Sequence, residues 1–204
     1  MVVEEIFAKL KAHMLEGMVF HDQMARYYDF LNLKGYKRCH EYHYFEGTLG
    51  YRKLCRYFMN HYHMFIPFED MNNPQVIPDS WYRYTRQEVD TGTKKSSVKA
   101  GVEKWVKWEK ETKQLYQDMY KELIDIGEIA AAEKIACYIC DVDCELKYAE
   151  RKHLDLESIN YDLPTIVIEQ HDLHEKYKEK LEGLETCLCE NKKKASLLLA
   201  SFCV

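Results

Sequence analysis

The sequence predicts an all-α protein, an antiparallel four-helix bundle with a long crossover between its second and third helices and a fifth, C-terminal helix. Glycine and proline are scarce, with 8 and 4 among 204 residues, so the chain lacks the turn residues that many short strands need. Apolar residues also recur at spacings of three and four over long stretches, which is the periodicity of a helix face. The length is ordinary for one domain, which we expect over residues 1–190.

The first two helices are predicted over residues 3–33 and 36–65, with Gly35 in the turn between them. In the first, apolar side chains recur at three- and four-residue intervals from Ile6 to Leu31. In the second, the same spacing continues. Because the connecting turn is short, the two helices should be antiparallel neighbours.

A long connection follows the second helix. Pro67, Pro74 and Pro78 prevent a helix from continuing through this region. Residues 66–95 also lack sustained periodicity, and we therefore expect them to cross over to the third helix.

The third helix is predicted to begin at a cap formed by Ser96 and Ser97 and to run to about Ile126, where Gly127 marks its end. A fourth helix is predicted over residues 128–156. The resulting order of short turn, long crossover and short turn is that of a bundle with one long crossover connection.

A fifth helix is predicted over residues 164–190, with Pro164 near its start, where the missing N–H costs nothing. Residues 191–204 form a tail in which three lysines precede an apolar segment. We expect this tail either to dock, on the bundle or on a partner, or to remain disordered.

Charge and hydropathy narrow the class of protein. The net charge of -5 and pI near 6.0 give no basic footprint for nucleic acid. The sequence has no run of eighteen apolar residues and no signal-peptide core at its N-terminus, so we expect no membrane contact and a cytoplasmic protein. Cys137, Cys140 and Cys144 lie on one predicted helix, a geometry that pairs thiols poorly, and reduced thiols are therefore expected.

Each of the four bundle helices carries a carboxylate on or beside its apolar stripe. These are Glu16 on the first helix, Glu46 on the second, Glu109 on the third, and Asp141 with Glu145 on the fourth. An unpaired buried charge is costly, and four carboxylates converging from four helices would neutralise two divalent cations. The alternative is that each acid lies near an inner stripe by chance, as surface acids on long helices do.

The second helix adds a histidine cluster. His40 and His43 are one turn apart, and His43 can face the same direction as Glu46, a geometry suited to iron or zinc. A hydrogen-bonded core or surface position is the alternative for these histidines.

Two further patterns are weaker. Glu150 and His153 have Glu-x-x-His spacing but lie near the bundle end, which favours a surface pair. The pair Cys137 and Cys140 could form a split zinc site with Cys187 and Cys189, although these spacings are unfavourable on regular helices.

Two segments resemble the ferritin-like superfamily, and in particular its ferritin and bacterioferritin branch. Residues 106–112 resemble the third-helix stretch that carries the family's lone bundle carboxylate, which maps onto Glu109. Residues 140–150 resemble the acidic fourth-helix segment, and Glu16 matches the first-helix carboxylate. The resemblance covers roughly residues 8–156.

The chain departs from the family pattern on two helices. Gly47-Thr48-Leu49 follows Glu46, where the family has Glu-x-x-His. On the fourth helix, Asp141 and Glu145 replace a second such motif. The departures indicate either a carboxylate-rich site that recruits His43 or a bundle that has lost its metal.

The resemblance implies a metal-binding protein with a di-iron centre that oxidises or sequesters ferrous iron; if it is an enzyme, it is an oxidoreductase. Glu16, Glu46, Glu109 and Glu145 would be ligands, with His43 assisting and Asp141 supporting them. Zinc is the alternative metal. The alternative function is a metal-free helical interaction or assembly protein, and in either case we expect a homo-oligomer or a protein partner that binds the fifth helix and the tail.

Overall fold

The computed structural model describes residues 2–83 and 89–201, with side chains for residues 2–81 and 89–184. This part of the chain contains five α-helices, a short 3₁₀ helix and no strand. The α-helices are α1 (Val3–Phe30), α2 (Lys34–Tyr62), α3 (Thr91–Asp125), α4 (Ile129–Ser158) and α5 (Leu163–Ser201), and the 3₁₀ helix is Asp79–Arg83. The predicted all-α fold class is confirmed, including the long crossover between α2 and α3. None of the helices described combines the length and hydropathy that a membrane span needs.

The turn between α1 and α2 differs from the prediction. It lies at residues 31–33, where Asn32 takes a left-handed backbone conformation with φ 58°. Gly35 lies inside α2, and a Cβ there would overlap the backbone carbonyl of Gln170. This glycine therefore allows the close approach of α5 rather than forming the turn.

The start of α3 also differs from the prediction. Asp90 caps the helix, since its carboxylate accepts hydrogen bonds from the backbone N–H and the hydroxyl of Thr93, at 2.9 and 2.6 Å. Ser96 lies in the second turn, where its hydroxyl donates to backbone carbonyls of the preceding turn. The predicted Ser96–Ser97 cap is therefore wrong, because the helix begins five residues earlier.

Helix α5 packs along α2. The Gly35 N–H donates to Gln170 Oε1 at 3.0 Å, and the ring of Tyr177 lies 5.5 Å from that of Tyr42. An ion pair between Lys152 and Glu169 links α5 to α4. The helix continues to Ser201, beyond the predicted end at 190, so the backbone of residues 191–201 belongs to α5.

The core consists of two apolar clusters at the two ends of the bundle. One cluster includes Phe20, Tyr28, Tyr36 and Trp105, and extends to α5. The other is built around Phe7, at the opposite end. On α2, α3 and α4, the residues between the two clusters include the polar side chains described next, and on α1 His21 lies between Phe20 and Met24 of the first cluster.

Candidate metal centre

Polar side chains, most of them buried, form a layer midway along the bundle, near the junction of the two apolar clusters. Every helix of the bundle contributes to it: His21 from α1, His40, His43 and Glu46 from α2, Glu109 and Thr112 from α3, and Glu145 from α4. Buried polar groups normally have hydrogen-bond partners, so a layer with incomplete pairing indicates a function.

Within this layer, His21, Glu109 and Glu145 form a first group whose ligand atoms all lie within 4.8 Å of one another. Glu109 is only 2% exposed. Its Oε1 accepts a hydrogen bond from Trp105 Nε1 at 3.0 Å and lies 3.8 Å from His21 Nε2. This group is the inner part of the centre.

A second group meets the same distance criterion and consists of His43, Glu46 and Glu145. His43 Nδ1 lies 3.7 Å from a carboxylate oxygen of each glutamate. The Tyr42 hydroxyl donates to Glu46 Oε1 at 2.8 Å and so orients that side chain. Glu145 belongs to both groups and joins them into one centre.

Burial and mutual repulsion disfavour negative charge in the centre. Burial raises the pKa of Glu109 to about 8. Burial also raises the pKa of Glu145 well above its usual range, and the charges of Glu109, Glu46 and Asp141 raise it further. The pair therefore tends to retain protons unless a positive charge compensates the carboxylates.

The histidines supply no such positive charge. Burial lowers the pKa of His43 to about 4, and the ammonium of Lys180 contributes to this shift. Burial also holds the pKa values of His21 and His40 well below their ordinary range. At neutral pH all three imidazoles are uncharged, which is the form that binds metals.

The donor set fits a divalent cation. Neither ring nitrogen of His43 has a hydrogen-bond partner among the described residues, although the ring is buried. Such an orphaned imidazole beside crowded carboxylates is costly in a folded protein. A bound cation would accept the nitrogen lone pair and compensate the carboxylates, and it would thereby relieve both costs.

Four of the six residues that the sequence indicates as ligands lie in these groups: His43, Glu46, Glu109 and Glu145. The other two, Glu16 and Asp141, do not. Their role as ligands stays a prediction.

Different contacts engage these two residues. Glu16 accepts a hydrogen bond from the Asn72 N–H at 2.6 Å and lies 3.4 Å from His13, which ties the crossover to α1. It precedes His21 by five residues, more than one helical turn. Asp141 is exposed on α4, and it acts on the centre only through its charge.

His21 is the ligand candidate that sequence reasoning missed. A signal for it exists, because His21 lies four residues after Gly17 and three before Met24, on the apolar stripe of α1. The sequence indicates His40 only as part of a histidine cluster. The structure places its Nδ1 3.0 Å from His21 Nδ1, behind the first group.

The Glu150–His153 pair and the cysteines of α4 belong to neither ligand group. Glu150 forms an ion pair with Lys110 at 2.9 Å, and His153 Nδ1 lies 2.8 Å from the Tyr161 hydroxyl. Cys137, Cys140 and Cys144 are free and exposed. The side chains of Cys187 and Cys189 lie outside the described residues, and the split zinc site stays a prediction.

Comparison with known proteins identifies the fold. No family model matches the sequence. No curated protein matches it. Solved structures do match, and three of them are ferritins.

An Archaeoglobus fulgidus ferritin engineered into a closed form superposes with a TM-score of 0.69 at 14% identity, over 84% of this chain and 93% of that chain. A humanized archaeal ferritin gives a TM-score of 0.69 at 15% identity, over 84% and 94%. An open-pore ferritin from the hyperthermophilic archaeon Archaeoglobus fulgidus gives 0.68 at 14% identity, over 83% and 93%. The chain therefore has a divergent ferritin-like fold, as the resemblance implies. At sequence identities this low, the structural similarity establishes the fold alone, and the function has to be argued from the site.

Proposed function

We propose that this protein is a ferritin-like metal-binding protein whose mid-bundle centre holds two divalent cations, with iron as the physiological metal. The observation that carries the proposal is the presence of two ligand groups that share Glu145. One cation would bind to His21, Glu109 and Glu145, and the other to His43, Glu46 and Glu145.

The ligand chemistry favours a transition metal. Each group offers one imidazole nitrogen and two carboxylates, a donor set that suits ferrous iron or zinc better than the all-oxygen sites of magnesium or calcium. Iron is favoured because the similar structures are ferritins. Two ferrous ions held there could be oxidised by oxygen, a chemistry that comes from the metal rather than from the side chains.

The carboxylate ligands of the two groups differ in their exposure to water. The side chain of Glu46 is 44% exposed and that of Glu145 is 30% exposed, whereas Glu109 is almost fully buried. Cations should therefore reach the centre from the Glu46 side, between α2 and α4. The second group would be the exchangeable position, and the first group would hold its cation away from water.

The test is metal content measured on variants that divide the centre. The purified protein is incubated with Fe²⁺ without oxygen, separated from free metal and analysed for metal per chain. Wild type should hold two irons. Glu145→Gln should lose both, and Glu109→Gln and Glu46→Gln should each retain one.

Asp141→Asn is the matched control, because it removes a carboxylate from the same face of α4 without touching either group. It should retain both irons. Loss of metal in this variant would instead favour the supporting role in the metal site that the sequence predicts for Asp141, and Glu16→Gln tests the predicted ligand Glu16 in the same way. Zinc bound in place of iron would point to a structural centre. No metal in wild type would overturn the proposal and favour a helical interaction protein.

We also propose that the chain forms a homo-oligomer, since two of the similar proteins are described by a closed form and an open pore. Light scattering coupled to gel filtration gives the mass in solution. A monomer at micromolar concentration would contradict this part of the proposal.

A further inference from the structure

His40 belongs to neither ligand group, yet it contacts one of the proposed ligands. Its Nδ1 lies 3.0 Å from His21 Nδ1, and both rings are buried. Its other nitrogen, Nε2, has no hydrogen-bond partner among the described residues. The bond to His21 is therefore the one polar contact that the structure shows for this ring.

The hydrogen bond restricts which nitrogen of His21 can carry a proton. A neutral imidazole has one N–H and one lone pair, so a bond between two Nδ1 atoms needs a donor on one ring and an acceptor on the other. His21 Nε2 is the nitrogen that faces Glu109, at 3.8 Å from Oε1. To offer its lone pair to a cation there, His21 must carry its proton on Nδ1.

We propose that His40 is a positioning residue: its Nδ1 accepts a hydrogen bond from the Nδ1–H of His21 and thereby presents His21 Nε2 to the cation bound by Glu109 and Glu145. The inference rests on the proposed metal centre and adds to it a residue that the ligand groups do not include. It also gives a role to a buried histidine whose Nε2 has no hydrogen-bond partner among the described residues.

Packing holds His40 in the orientation that this role needs. Its ring stacks on Tyr28 at 5.4 Å with an interplanar angle of 7°, and its edge meets Trp105 at 4.8 Å. These contacts fix the ring plane, so Nδ1 remains directed at His21.

Two variants separate the hydrogen bond from the packing. His40→Phe keeps an aromatic ring between Tyr28 and Trp105 but removes the acceptor. His40→Asn loses the ring and places an amide oxygen near the position of Nδ1. His153→Phe is the control, because it removes another imidazole that bonds to a neighbour, Tyr161, away from both ligand groups.

The probe is Zn²⁺ alone, whose binding is followed by competition with a chromophoric chelator. Loss of an outer hydrogen-bond partner of a metal-bound histidine typically weakens metal affinity about 10- to 100-fold. We expect this loss in His40→Phe for one of the two zinc ions, with the ion at His43 and Glu46 retained. His40→Asn should recover most of the affinity, and His153→Phe should bind both ions normally.

Nitrogen-15 NMR of the histidine rings gives a direct readout on the wild-type protein. In the zinc-loaded state, His21 should carry its proton on Nδ1 and bind zinc through Nε2. This measurement decides the question even if His40→Phe does not fold.

Each failure is distinguishable. Wild type without bound zinc or iron overturns the metal centre and this inference with it. Three results would overturn the inference but leave the metal centre intact. They are unchanged affinity for both zinc ions in His40→Phe, equal weakening of both ions in that variant, and binding of zinc by His21 through Nδ1.

Discussion

The indole N–H of Trp105 donates a hydrogen bond to Glu109 Oε1 at 3.0 Å, one helical turn further along α3. Burial raises the pKa of Glu109, and this donor opposes the rise because it stabilises the ionised carboxylate. Trp105 therefore influences the pH range in which Glu109 can accept a cation instead of a proton.

Replacing Trp105 should shift the pH dependence of metal binding. A cation competes with the proton on Glu109, so zinc affinity for the inner group should rise with pH and level off near the carboxyl pKa of about 8. In Trp105→Phe, the loss of a hydrogen bond to a charged acceptor should move this midpoint upward by roughly one pH unit. Zinc titrations between pH 6 and 9 measure it.

Trp108→Phe is the matched control for that change. Trp108 stacks on His13 and Phe20 and donates no hydrogen bond to Glu109. An equal shift in the two variants would mean that ring packing, rather than the indole donor, sets the pKa of Glu109.

The same buried carboxyl makes the metal-free protein less stable as pH rises. Its folded pKa lies above the ordinary value of 4.5, so the folded state binds more protons than the unfolded state between about pH 4.5 and 8. The contribution of Glu109 to stability should therefore fall as pH rises through that window. Glu109→Gln should reduce the fall by about 2 kcal/mol or more.

Urea unfolding with a chelator present, at intervals from pH 5 to 9, measures this effect. Glu150→Gln removes a surface carboxylate of α4 and should leave the pH profile as in wild type. A Glu109→Gln profile that parallels wild type would show that the carboxyl titrates normally. Saturating zinc should reverse the trend in wild type, because it binds the deprotonated folded state.

The sequence predicts the helices better than their ends. Long amphipathic stretches and the prolines of the crossover specify the order of the elements, since periodicity and proline geometry are local properties. The first turn of α3 is exposed and carries no apolar pattern, so Ser96 resembled a cap until the structure showed Asp90 in that role. Gly35 resembled a turn residue because its tertiary contact with Gln170 has no local signal.

The site follows the same logic. Periodicity shows which side of a helix faces inward, and three of the carboxylates that it indicates, Glu46, Glu109 and Glu145, lie in the ligand groups. It does not show the depth at which four helices align. Glu16 bonds to the crossover more than one turn from the ligand groups, and His21, which belongs to them, gives no local signal beyond its place on the apolar stripe.

Acid should destabilise the metal-free protein through His43. Burial lowers the folded pKa of this ring to about 4, whereas the unfolded value is 6.5. The unfolded state therefore binds more protons between these values, and stability should fall as pH drops from 6.5 to 4, by about 3 kcal/mol for this residue. His43→Gln should flatten that limb in a urea-unfolding series.

An exposed histidine provides the comparison. His61 lies on the surface of α2, and His61→Gln should keep the acid limb of wild type. If both variants lose stability in acid as steeply as wild type, His43 is not the group that the unfolded state protonates.

The contact between α2 and α5 should depend on Gly35. A methyl group there would overlap the backbone of Gln170, which cannot move without displacing α5. Overpacking of this kind typically costs about 1–3 kcal/mol, and we expect Gly35→Ala to lower thermal stability and to expose α5 to proteolysis.

Gly50→Ala is the internal comparison, since a methyl group at Gly50 of α2 meets no atom within 4 Å. That variant should gain roughly 0.5–1 kcal/mol from reduced backbone freedom in the unfolded chain. If Gly35→Ala proved as stable as Gly50→Ala, α5 would not pack on α2 in solution, and Tyr177 and Lys180 would then lie away from the centre that they border.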